Sequence, residues 1–421
     1  MHPLTAQVTD QQLADLYGPS AAEAETARNR IDSLATFFHE ATGDEPTSLY
    51  TAAGRTEMGG NHTDHQHGNV LASSVNWDAL AVAAPTTDTT IRVISAQYPE
   101  DIIQVGDWEQ RPEEEGTSIA LVRGICRALA DRGYEVGGVT IATHSNVPGG
   151  SGLSSSAAFE VLIGNVLNHL FADDQLDAVQ LAQIGQFAEN VYMGKPSGLL
   201  DQMASSVGGV IAIDFGDPTR PVVEALDFDV TNTGYVMCMI DSGADHADLT
   251  EDYSAITQEM GAVASYFGAS HLRDVDPADF WADLAAVRAA TGDRAVLRAM
   301  HFFGEDERVP HQARALAEGR FEDFLRLVEQ SGRSSATLLQ NIYSDSTPTN
   351  QAIGVTIALA QHLLKGKGAV RVHGGGFAGV VQAYVPEEDV KEFKQDVDAA
   401  LGEGACEVVL LRPVGGAVLV G

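Results

Sequence analysis

The stretch from Pro148 to Ala158, Pro-Gly-Gly-Ser-Gly-Leu-Ser-Ser-Ser-Ala-Ala, joins three glycines to a run of three serines where a strand-like segment gives way to a helical one. Glycine lets the backbone approach a ligand closely. Small hydroxyls donate to anions, and the first turn of a helix offers unpaired N–H groups at the positive end of its dipole. Gly149, Gly150, Ser151, Gly152, Leu153, Ser154, Ser155 and Ser156 therefore read as a cradle for phosphates. One serine suffices as an N-cap, so capping alone does not account for the run. The other common phosphate loop, G-x-x-x-x-G-K-[ST], occurs nowhere in the chain.

Two further stretches could carry chemistry. Gly54-Arg-Thr-Glu-Met-Gly-Gly-Asn-His-Thr-Asp-His-Gln-His-Gly68 holds an arginine, an aspartate and three histidines, His62, His65 and His67. Such residues can bind a borderline cation, but their spacing fits no common zinc pattern. The other reading is a pocket of directional donors and acceptors for a polyhydroxylated ligand. Val372-His-Gly-Gly-Gly-Phe-Ala-Gly379 is a glycine-rich loop after an apolar strand. Alone it fits a tight turn as well as a ligand contact.

The elements that must position these residues follow from periodicity and punctuation. Residues 10–45 read as helical, with Ile31, Leu34, Phe37 and Phe38 on the apolar face. Strand-like pieces follow at 49–53, 70–84 and 91–96, then a helix over 118–132 closed by Gly133 and a strand over 138–143 that enters the serine loop. The helix after that loop has apolar positions at Ala158, Val161, Leu162, Val166 and Leu170. The turn-rich GDPTRP at 216–221 follows the strand-like VIAIDF and reads as a domain boundary. Beyond it come a buried-type strand, GYVMCMIDS, and several helices between 253 and 364. The strands AVRV and VVQAYV follow, then the helix PEEDVKEFKQDVDAAL and the strand CEVVLL. A βαβ-like ending in each half predicts an α/β or α+β protein of two domains.

Composition narrows the function classes. The chain has 421 residues, of which 44% are hydrophobic, enough for a full core. With 25 Lys+Arg against 59 Asp+Glu the net charge is −34, which disfavours a phosphate backbone or an anionic membrane as partner. A phosphorylated ligand must then be held locally, by backbone N–H groups, a metal ion or a few arginines. Cys126, Cys238 and Cys406 form no framework or zinc cluster, and suit a reducing cytosol. Neither a signal peptide nor a membrane-spanning run is expected, so the expected location is cytoplasmic.

The three motifs, in this order and at these separations, resemble the galactokinase branch of the galactokinase–homoserine kinase–mevalonate kinase (GHMP) superfamily. The usual galactokinase form of the 54–68 motif is GRVNLIGEHTDYN. A fourth match, Gly194-Lys-Pro-Ser-Gly-Leu-Leu-Asp-Gln-Met-Ala204, is similar to that branch's G-x-x-C-G-x-x-D-Q-x-A. The four span roughly residues 50–380. The resemblance implies an α+β, two-domain fold, with an N-terminal half like ribosomal S5 domain 2, a ferredoxin-like C-terminal half and the active site in the cleft between them. The expected division is a helical extension over 1–45, then domains over 46–216 and 217–421. It implies a sugar 1-kinase that moves the γ-phosphate of ATP to the anomeric hydroxyl of a hexose, galactose first. Asp201 would act as general base or orient that hydroxyl, and Arg55 would stabilise the transferring phosphoryl group. ATP would lie on residues 149–156, with Mg2+ held by Ser155 and Glu189. The sugar would meet Asn61, His62, Asp64, Gly198 and Tyr253.

The departures bear on the sugar. Asn61 replaces the family glutamate that accepts from the 6-hydroxyl. Asparagine is neutral, so it permits galactose without repelling a carboxylate at C6, and galacturonate is the second substrate to consider. His65 replaces a tyrosine, Ser197 a cysteine, and Glu57-Met58-Gly59 the family's Asn-Leu-Ile. Ile256 and Thr257 stand where a double arginine often follows the family tyrosine. A sugar- and ATP-binding sensor without catalysis is a further reading, and the retained loop serines and Asp201 speak against it.

Overall fold

The structure is a computed structural model that describes residues 1–96, 98–148, 152–195, 197–244 and 249–421. Its first sheet is built around the antiparallel pair β1 (Ser48–Gly59) and β2 (Asn69–Pro85). β3 (Thr90–Ser95), β4 (Tyr98–Gln104), β5 (Val139–Ser145), β6 (Val210–Asp214) and β7 (Val222–Leu226) extend it. Among the described residues only β3 and β5 pair in parallel. The second sheet contains β8 (Tyr235–Asp241), β9 (Ala369–Val372), β10 (Val380–Pro386) and β11 (Cys406–Val409), in the order β11-β8-β10-β9 and all antiparallel. The chain then returns to the first sheet, where β12 (Ala417–Val420) pairs with β1. That sheet runs β12-β1-β2-β5-β3-β4, and β6 and β7 continue from the first half of β2.

The middle of the first sheet is apolar on both faces, so helices must cover both. In β2, Ala79, Ala81 and Ala83 face one core and Leu80, Val82 and Ala84 the other. The first core is filled by α4 (Ser118–Asp131), α5 (Ser155–Phe171) and α6 (Ala178–Phe187). The second lies under α1 (Pro3–Gln7), α2 (Asp10–Tyr17) and α3 (Ala21–Thr42), which contribute Leu13, Leu16, Ile31 and Phe38. The N-terminal helices thus supply the layer that the alternation of β2 demands. They are anchored at Asp78, fully buried in β2. Its carboxylate accepts from Tyr17 (2.6 Å), Arg30 (2.9 Å), Thr51 (2.8 Å) and Arg412 (3.1 Å).

The strand expected over 49–53 runs further: residues 54–59 form the end of β1, where every residue is buried. β2 pairs with this stretch on one side, and on the other Arg55 N donates to Leu153 O and Glu57 N to His373 Nε2, so its backbone groups find partners. Arg55, Thr56 and Glu57 consequently enter the interior and find partners there.

Candidate active site

The serine loop delivers its last residues to the N-terminus of α5. Ser154 sits at the N-cap with a left-handed backbone (φ 57°), and no side chain caps the helix. Its hydroxyl instead donates to Asp201 Oδ2 at 2.7 Å. The first N–H groups of a 17-residue helix are therefore left without a side-chain acceptor, the arrangement an anion can use. Gly149, Gly150 and Ser151 lie outside the described residues. Gly152 and Leu153 are placed against β1: Leu153 O accepts from Arg55 N at 3.0 Å, and Gly152 O accepts from Arg55 Nη1.

Arg55 joins this loop to the fourth motif. Its Nε and Nη2 donate to the two oxygens of Asp201, each at 2.6 Å, a two-pronged pair that fixes both groups. Asp201 stands in the first turn of α7 (Leu200–Val207). Burial alone would raise its pKa. The Arg55 charge, with hydrogen bonds from Arg55 and Ser154, outweighs that and holds it at about 2. Asp201 is charged at every physiological pH.

Glu189 lies on the other side of the loop, in a π-turn (Ala188–Tyr192) that extends α6. Such turns are frequent at functional sites. It is buried, and accepts from Lys195 (2.7 Å), Ser197 (2.6 Å), Gln202 (2.8 Å) and, more loosely, Ser156 (3.3 Å). The serine that hydrogen-bonds Glu189 is Ser156, the neighbour of Ser155 in the run. A carboxylate with serine hydroxyls is an all-oxygen donor set, which suits Mg2+. Among the described residues no group of three or more His, Cys, Asp or Glu could hold a metal, so the histidines of 62–67 form no such centre.

The proposed sugar residues separate into two groups. Asp64 packs against Gly198 so tightly that a Cβ there would lie 1.8 Å from Asp64 Oδ2. His62, at φ 59°, turns its Nε2 to Gly375 O at 2.9 Å. Tyr253, on α8 (Thr250–Tyr266), donates to Gly376 O at 2.8 Å and sets its ring edge-on to Phe377. The glycine loop at 374–376 thus receives both His62 and Tyr253. Burial first, and the neighbouring His65 second, lower the His62 pKa to about 4, so this ring is neutral.

Asn61 is held by a different set of partners. It is fully buried, and both ends of its amide are occupied. Nδ2 donates to Gly374 O (2.6 Å) and Glu57 (3.2 Å), and Oδ1 accepts from Ser335 (3.1 Å) and Asn341 (2.9 Å). The carboxylate of this region is Glu57, paired with the buried Arg371. In the motif as it stands, the glutamate and asparagine have exchanged places relative to GRVNLIGEHTDYN.

The profile of the GHMP kinases N terminal domain matches residues 120–209, and the galactokinase galactose-binding signature matches residues 36–85. These two stretches of the chain are thus similar to the GHMP kinases and, within them, to the galactokinases. Solved structures agree on the fold. Lactococcus lactis galactokinase complexed with galactose superposes with a TM-score of 0.78 at 23% identity, covering 92% of this chain and 99% of that one. Methanococcus jannaschii mevalonate kinase gives 0.60 at 13% identity, covering 87% and 98%. A D-glycero-D-manno-heptose 1-phosphate kinase from Bacteroides thetaiotaomicron gives 0.59 at 15%, covering 88% and 98%. The two profiles together take in Arg55, the 61–64 turn, the serine loop, Glu189 and Asp201, the residues that converge here.

Two residues of this site were missed in the sequence. Lys195 occupies the second position of the fourth motif yet ion-pairs with Glu189. Glu160 stands among the apolar positions of α5, 1% exposed, and shares the Gln202 amide (2.9 Å) with Glu189. A glutamate inside an apolar run was the available signal. Burial, with the nearby Glu189 second, raises the Glu160 pKa well above its ordinary value.

Proposed function

We propose that this protein is an ATP-dependent sugar 1-kinase, with galactose as the substrate. The observation that carries the reading is the Arg55 guanidinium, which ties the phosphate loop at Gly152 to the acceptor-side carboxylate of Asp201. A loop for the donor's phosphates and a carboxylate for the acceptor's hydroxyl are thereby held against one cation.

Phosphoryl transfer depends chiefly on positioning and on stabilising charge at the phosphoryl oxygens. Arg55 supplies a fixed positive charge there, 7% exposed and so little screened by water. Asp201, held at about 2, is a weak proton acceptor at neutral pH. Its role in this reading is to accept a hydrogen bond from the anomeric hydroxyl and aim its oxygen, with the proton leaving as the new bond forms. Glu189 with Ser156 or Ser155 would hold Mg2+, which when bound supplies charge neutralisation on the nucleotide phosphates. Asp64, His62 and Tyr253 surround the acceptor side. The carboxylates of Asp64 and Asp201 favour a neutral sugar over an anionic one.

The test is a panel of sugars with ATP and Mg2+, scored for phosphate at the anomeric position. Galactose is expected to give the highest kcat/KM. Galacturonate above galactose would overturn the choice of sugar. Transfer to no hexose or uronic acid, with ATP still raising the melting temperature, would instead favour a sensor.

A further inference from the structure

His373 belongs to the glycine-rich motif, and none of the roles described above uses it. It follows β9 and is 2% exposed. Its Nε2 accepts from the backbone N–H of Glu57 at 3.1 Å. It also lies 3.1 Å from Thr56 Oγ1, which itself accepts from Gln382 Nε2 at 2.8 Å. A backbone N–H can only donate, so Nε2 must be bare and the ring proton must sit on Nδ1. Burial, then the charges of Arg55 and Arg371, push the ring's pKa well below the usual histidine value, so the neutral form persists.

That Nδ1–H is buried and has no partner among the described residues. An unpaired buried donor is destabilising, and native folds rarely leave one without a reason. Its direction is known: a Cβ built on Gly152 would have His373 Nδ1 as its nearest neighbour, at 3.1 Å, with Cε1 farther away at 3.7 Å. The Nδ1 edge therefore faces the phosphate loop where Gly152, Arg55 and Asp201 meet. The carbonyl of Gly152 is engaged by Arg55. Gly152, at φ 71°, leaves this edge free of a side chain, since any Cβ there would press on Nδ1.

We propose that the Nδ1–H of His373 donates to an oxygen of a phosphoryl group bound at the loop beside Gly152. This rests on the kinase reading above and adds a second donor to the phosphoryl site. Arg55 contributes charge from β1, whereas His373 contributes a neutral, directional N–H from the second sheet. The proton stays on Nδ1 throughout, and no bond to the ring is made or broken.

The two nitrogens can be tested separately. His373→Asn places an amide donor near the Nδ1 position and forgoes the Nε2 contact. His373→Gln reaches the Glu57 N–H through its side-chain oxygen and forgoes the Nδ1 donor. If the proposal holds, His373→Gln lowers kcat on the order of 10²-fold with little change in the KM for sugar, the effect of losing one transition-state donor. His373→Asn is then the more active of the two. The opposite order, or His373→Gln at wild-type rate, overturns the proposal. A second readout needs neither turnover nor a variant. In protein labelled with 15N-histidine, the His373 Nδ1–H resonance should move downfield when a non-hydrolysable ATP analogue with Mg2+ is added. A proton found on Nε2, or a resonance indifferent to the analogue, overturns the proposal. Wild-type protein that shows the shift but phosphorylates no sugar would instead refute the kinase reading and leave this assignment standing.

Discussion

Replacing Arg55 by methionine keeps most of the side-chain bulk and removes the cation from Asp201. In the wild type the Asp201 pKa is displaced from the ordinary 3.8 to about 2, although burial alone would raise it. At 1.36 kcal/mol per pKa unit that displacement corresponds to roughly 2–3 kcal/mol in favour of the charged form. Asp201 is one third exposed, so solvent screening reduces this to about 1–2 kcal/mol of stability. That contribution is complete above pH 3.8 and is lost as the pH falls through about 2. In Arg55→Met the lowering influence is gone, burial dominates, and the pKa rises to the ordinary carboxylate value or above it. The acid limb of the pH–rate profile should then move up by about two pH units, with kcat falling by about 10²–10³. The assay is phosphoryl transfer to galactose between pH 4 and 8, with urea unfolding over the same range. A variant within about fivefold of wild-type kcat, with an unmoved acid limb, would show that the Arg55–Asp201 pair does not organise the site.

Three other substitutions probe the remaining contacts. Gly198→Ala drives a methyl group into Asp64 and should raise the KM for sugar about 10-fold or more, the loss of one charged hydrogen bond, while leaving the KM for ATP alone; equal effects on both would contradict this placement of Asp64. Asp78→Asn leaves Arg30 and Arg412 without their buried counter-charge and should cost about 3–5 kcal/mol in urea unfolding, whereas a loss under about 1 kcal/mol would mean the N-terminal helices are not anchored there. Asn61→Glu returns the family residue but sets a second buried carboxylate against Glu57, so it should destabilise by about 2–4 kcal/mol. Adding Glu57→Asn should recover more than half of that loss, and strictly additive effects would show that the two positions are uncoupled.

Much of this site is written in short range. The serine loop at a strand-to-helix junction, the 54–68 motif and the Asp201 segment announce their chemistry because the residues that act together are neighbours in the chain, and helix and turn signals are local. The helix at 118–131 and the strand at 139–145 fell within a residue or two of expectation for the same reason. Where the reading stopped short, a distant partner decided the outcome. The strand expected to end at residue 53 continues to 59, because β2, Leu153 and His373 supply partners for its backbone. The contacts of Asn61 with Ser335, Asn341 and Gly374, some 270 to 310 residues onward, could not be read from its neighbours in the chain. The return of β12 to β1 and the role of the N-terminal helices as the second cover of that sheet carried no local mark. Residue types and spacings state which groups are available for catalysis. Which of them face the cleft depends on hydrogen bonds and burial supplied from elsewhere in the chain, and those exist only once the two sheets have closed on each other.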